Sequence, residues 1–103
     1  MYKLVFFVPR SHSEIVKKAV FSNGGGHIGN YDCCSFETEG VGQFRPLDGS
    51  QPYLGENGQI EQVVELRVEM VVEDGKIKQV VEAMKKAHPY EVPAYDVIKL
   101  EDF

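Results

Sequence analysis

From Val64 to Val72 every second residue is apolar: Val64, Leu66, Val68, Met70 and Val72. The positions between and just beyond them carry Glu65, Arg67, Glu69, Val71 and Glu73, charged at all but one. A repeat of two is the repeat of a pleated strand, so the segment from Val63 to Glu73 is predicted to lay one face on a core and turn the other to polar surroundings. Each fully buried member of the apolar set contributes about 1.5–3 kcal/mol. The rest of the chain must therefore supply a second layer to cover that face.

Two segments have the repeat of a covering helix. After Pro9, the run Ser11-His12-Ser13-Glu14 fits a capping box, with Ser11 as cap and Glu14 reaching back to it. Ile15, Val16, Ala19 and Val20 follow at helical spacing, and Asn23 with three glycines stops the helix. The second helix spans Lys76 to Ala87, with Ile77, Val80, Val81, Met84 and Ala87 as its apolar stripe, and Pro89 halts it. Three more strands complete the pattern. Tyr2 to Val8 is apolar on both alternate sets, which reads as burial on both faces. Tyr31 to Thr38 reads as a strand rich in aromatic and β-tolerant residues, and Ala94 to Leu100 as the last strand.

The order β-α-β-β-α-β predicts an α+β, ferredoxin-like sandwich, with right-handed crossovers and both helices on one side of the sheet. The connection from Gly40 to Ile60 is long and too apolar for a free loop, with Phe44, Pro46, Pro52, Tyr53 and Leu54. An extra hairpin arm between strands 2 and 3, packed on a neighbouring subunit, is the expectation. The open face of the sheet would carry one apolar set of the first strand, and self-association would cover it.

At 103 residues a single domain over 1–103 is expected. A net charge of −5 and scattered basic residues argue against a nucleic-acid binder. No apolar run approaches the ~18 residues of a membrane span, so no membrane partner is expected, and the absence of a signal-like start points to the cytoplasm. Cys33 and Cys34 are the only cysteines. On a strand they would face opposite ways, which leaves at most one for any one site.

Two helix-to-strand corners concentrate the remaining polar and rigid groups. The first is Asn23-Gly24-Gly25-Gly26-His27-Ile28-Gly29-Asn30. Its Gly24-x-Gly26-x-x-Gly29 letters match a dinucleotide fingerprint, but a helix precedes and a strand follows, the reverse of what pyrophosphate binding needs. A helix stop is the plainer reading, and a nest of backbone N–H groups for an anion the sharper one. The second corner is His88-Pro89-Tyr90-Glu91-Val92-Pro93-Ala94-Tyr95-Asp96. Here His88 either bonds the last helix carbonyls or ligates a metal with Glu91 and with His27 or Cys33, if both helices run in a similar direction and bring the corners to one end. Imidazole, thiolate and carboxylate suit a divalent ion such as zinc or copper. The candidate ligand-binding residues are Asn23, Gly25, His27, His88, Tyr90 and Glu91. No nucleophilic triad is legible.

The run His88-Pro89-Tyr90-Glu91-x-Pro93 resembles the C-terminal signature of the CutA family. With Ala94-Tyr95-Asp96, Gly24-x-Gly26-x-Ile28-Gly29-x-Tyr31, Cys33-x-x-Phe36, Gly40-x-Gly42-x-Phe44-x-Pro46 and Glu65-x-Arg67-x-Glu69, the chain resembles the PII/CutA-like insert domain of YqfO-type, Nif-three-like proteins. The resemblance covers nearly the whole chain. It implies a ferredoxin-like fold, a trimer built by packing sheets, and a partner-contacting loop between strands 2 and 3. CutA proteins are associated with divalent copper, which the resemblance extends to this chain only as an analogy. The dinuclear metal site of full-length Nif-three-like proteins lies in flanking domains, so neither it nor a hydrolase activity is expected in an insert standing alone. The reading is a trimer that binds a small molecule or metal ion at its subunit clefts in a regulatory or homeostatic role. A metal-dependent hydrolase and a purely structural oligomerisation module remain the alternatives.

Overall fold

The computed structural model describes residues 1–103. Its elements are β1 (Tyr2–Pro9), α1 (Ser13–Ser22), β2 (Phe36–Phe44), β3 (Glu61–Val72), α2 (Ile77–Ala87) and β4 (Tyr95–Lys99). A 3-10 turn leads into each helix, at Arg10–His12 and Asp74–Lys76. The strands form one sheet in the order β2-β3-β1-β4, with every neighbouring pair antiparallel. This is the expected ferredoxin-like architecture.

The alternation in β3 sets the layers. Leu66, Val68, Met70 and Val72 are buried together with Leu4, Phe6 and Val8 of β1. Each helix adds one pair at i, i+4: Val16 and Val20 from α1, Val80 and Met84 from α2. Val5 and Phe7 alternate with the core set of β1 and so lie on the face away from the helices. Val5 is nevertheless fully buried, and the guanidinium of Arg67 lies 5.8 Å over the Phe7 ring. Exposed apolar residues also lie on the edge strands: Phe36 on β2 and Ile98 on β4 stand opposite Glu69 and Lys3 and so share the open face, whereas Val41 and Val97 stand on the helix side.

Four local expectations are corrected. Ser11 does not cap α1; its hydroxyl bonds His12 Nδ1 at 2.8 Å, because the 3-10 turn moves the helix start to Ser13. Ile15 faces solvent rather than the core. The second strand begins at Phe36, not Tyr31. Residues 31–35 are held as a loop by the bond from Cys34 N–H to Gly26 O and by a lone bridge between Ile28 and Tyr31. Cys33 sits in that loop with φ 55°, so strand alternation does not orient the two thiols.

The arm between strands 2 and 3 is present, built largely by those strands themselves. Pairing of β2 with β3 continues to Phe44↔Glu61, beyond the point where β1 ends at Pro9↔Glu65. The result is an elongated molecule, 46 × 25 × 24 Å. Val41 and Val64 are cross-strand partners on this overhang and lie open to solvent, past the reach of the helices.

The direction of the helices decides where the corners go. Because β1 and β3 are antiparallel, the helix that returns from each must oppose the other. The start of α2 consequently meets the end of α1, with Gln79 Nε2 donating to Asn23 O at 2.8 Å. The expectation of similarly directed helices fails, and the two corners lie at opposite ends of the sheet.

Candidate functional site

The His88 corner starts from a proline. Pro89 disfavours helical geometry for the residue before it, and His88 is extended (φ −70°, ψ 138°) after its N–H makes the last helical bond to Met84 O. That exit turns the imidazole inward beneath the end of β1. His88 is buried, and its Nε2 lies 2.7 Å from Phe7 O. Its Nδ1 accepts the Tyr90 N–H at 3.1 Å. The two partners dictate a neutral ring protonated on Nε2. Burial lowers the His88 pKa; the Phe7 carbonyl and Glu65 oppose that shift, and His12 adds to it.

Tyr90 then reaches across to β3, where its hydroxyl donates to Glu65 Oε2 at 2.7 Å. Burial first, and then this bond to a carboxylate, pushes the phenol pKa well above its usual value. The Glu65 carboxylate lies over Gly42 of the neighbouring strand, in space that a Cβ there would need. Tyr90 packs against two rings brought by the arm, Phe44 at 6.1 Å and Tyr53 at 6.3 Å between centroids. Tyr53 also meets the edge of His12 at 5.5 Å. Next in the chain, Glu91 Oε2 accepts the Gln51 N–H at 3.1 Å and ties the arm to the corner. Between arm and corner lies a cavity of about 150 Å³, bounded by Phe44, Pro52, Tyr53, Leu54, Tyr90 and Glu91 among others. Part of the arm thus folds onto its own chain.

The glycine corner is built differently. The N–H groups of Gly24, Gly25 and Gly26 bond Phe21 O, Val20 O and Val71 O in turn. None is free to form an anion nest. Gly25 is buried against Met70 and Val80, and Asn23 uses its side-chain amide on Ala19 O. Both are structural. His27 is exposed, with Nδ1 3.7 Å from a Glu73 oxygen.

The proposed metal set of His88, Glu91 and His27 does not converge. His27 lies at the far end of the sheet, and both His88 nitrogens are committed within the fold. No group of three or more His, Cys, Asp or Glu side chains is placed to hold an ion. The residues present do not fit a resident metal within one subunit. Of the six candidate ligand residues, the structure brings together His88, Tyr90 and Glu91. It adds Glu65, Phe44 and Tyr53, which sequence reasoning did not place at the site. Gly42, which leaves room for the Glu65 carboxylate, gave no signal of that approach because it fell in the segment read as a connection.

No protein-family model matches the chain. Over 97% of its length it is 48% identical to a protein named GTP cyclohydrolase 1 type 2 homolog from Halalkalibacterium halodurans, of which it covers 27%. The crystal structure of a Bacillus cereus protein related to NIF3 superposes over 98% of the chain and 26% of its own, with TM-score 0.84 and 44% identity. CutA1 from Pyrococcus horikoshii superposes over the whole chain and 86% of its own, with TM-score 0.69 at 20% identity, a likeness of fold alone. The chain thus spans about a quarter of the curated relatives it matches. It is a homologue of one segment of NIF3-related proteins, and that segment carries the CutA/PII-like fold.

Proposed function

We propose that the chain acts as a small PII/CutA-like binding unit that assembles as a homotrimer and takes a small ligand at the His88–Val92 end of each subunit, in a regulatory or homeostatic role. The observation that carries the assembly is the state of the two sheet edges. Phe36 and Val41 on β2 are 69% and 68% exposed, and Val97 and Ile98 on β4 are 39% and 48% exposed. An edge strand with apolar side chains and free backbone groups is a template for another chain. Joining β2 of one copy to β4 of the next is a head-to-tail contact, and a small ring closes it. A divalent ion remains compatible with this reading only where a neighbouring subunit supplies donors.

Light scattering on the purified chain at micromolar concentration tests the assembly. Three subunits are expected, and Phe36→Glu is expected to release monomers. A well-folded monomer overturns the trimer. Thermal shifts with small molecules and divalent ions test the binding role. A shift lost in Glu91→Ala with the oligomer intact supports it. If nothing shifts the protein, the reading of a purely structural oligomerisation module stands instead. Turnover of a substrate that is lost on chelation would favour a metal-dependent hydrolase.

A further inference from the structure

The cavity between arm and corner has a definite chemical character. Three aromatic rings bound it, from Phe44, Tyr53 and Tyr90. Its only charged lining side chain is the carboxylate of Glu91, and no lysine or arginine reaches its wall. Ring faces carry negative quadrupole charge, so rings grouped with a carboxylate attract positive charge. The Tyr90 hydroxyl donates to Glu65 at 2.7 Å, which makes that ring richer in electrons than a free phenol. The same features disfavour an anion. A nucleotide also needs more room than about 150 Å³, a volume that in other proteins holds a benzene-sized molecule. A bare metal ion would find one carboxylate, already bonded to Gln51 N–H, and no second donor of charge.

The geometry points to a site for a compact organic cation of the alkylated-ammonium class, held against the faces of Tyr53 and Tyr90 with Glu91 as counter-ion. It rests on the reading above in one respect, that this end of the molecule takes a ligand. The cavity itself lies within one chain.

The test is a titration of the full chain with tetramethylammonium, followed by NMR shifts of Tyr53, Tyr90 and Val92. Tert-butanol serves as a neutral probe of similar shape, and inorganic phosphate as the anion. Saturable shifts confined to this end are expected with the cation, and affinity at least about tenfold weaker for the alcohol. Tyr53→Leu keeps apolar bulk but removes a ring, and is expected to weaken the cation about fivefold; Glu91→Gln is expected to weaken it about threefold. Equal binding of the alcohol, saturation by phosphate, unchanged binding in Tyr53→Leu, or no saturable shift overturns the assignment. Light scattering on the same samples separates the two proposals. A trimer that ignores the cation defeats only the cation site, and a monomer that binds it defeats only the assembly.

Discussion

The two helix-to-strand corners do the same topological job by opposite means. The glycine corner closes with backbone: three successive N–H groups find carbonyls, and the absence of side chains lets the chain pass close to Met70 and Cys34. The histidine corner closes with side chains: an imidazole between Phe7 O and the Tyr90 N–H, and a phenol on Glu65. A corner sealed by backbone has few groups left for chemistry. One sealed by side chains presents rings and a carboxylate to whatever enters beside them.

The sharpest way to break this contrast is Gly26→Ala. A Cβ there would lie 2.5 Å from Cys34 O and 2.9 Å from Cys34 N, at φ +72°. A loss of at least about 3 kcal/mol is expected in urea unfolding, a large share of the stability of a small domain. His88→Ala comes next, at about 2–4 kcal/mol, because it orphans a carbonyl and an N–H and opens a void. The same residue gives the corner a pH signature. Its folded pKa lies below the ordinary 6.5. The unfolded chain therefore takes up the proton first as pH falls. The contribution of His88 is complete above about pH 6.5 and is lost as pH drops toward the folded value. Melting curves from pH 8 to pH 5 should fall less steeply in His88→Asn than in the parent. Tyr90→Phe removes one hydroxyl bond and should cost about 1 kcal/mol, with loosening confined to the arm in hydrogen exchange. Gly29→Asn should be nearly silent, within about 0.5 kcal/mol. Gly29 has φ +55°, which Asn tolerates, and nothing lies within 4 Å of the added Cβ.

What could be read in advance follows from how local each signal is. The even-numbered apolar positions of β3 and the stripe of α2 each depend on one element's own repeat, and Leu66 to Val72 and the α2 stripe lie where their spacing puts them, whereas Val64, on the overhang, is exposed. The start of β2 does not. Tyr31-Asp32-Cys33-Cys34 has strand-like composition, yet a bond to Gly26 holds it as a loop. Gly40 and Gly42, poor strand formers, are paired instead with Glu65 and Val63. The site was half legible. His88, Tyr90 and Glu91 stand in one short run, whereas Glu65, Phe44 and Tyr53 arrive through a register and a loop path that no spacing announces. The opposition of the helices was implicit in the expected fold, since antiparallel β1 and β3 require it.

The overhang of β2 and β3 has a mechanical consequence. Beyond Pro9 the strand pair is a cantilever without a helix beneath it, clasped by Tyr90 on Glu65 and by Glu91 on Gln51. A guest taken under that clasp, as proposed above, is expected to stiffen the lever, and slower hydrogen exchange around Val41 and Val64 in its presence is the measurement that checks it.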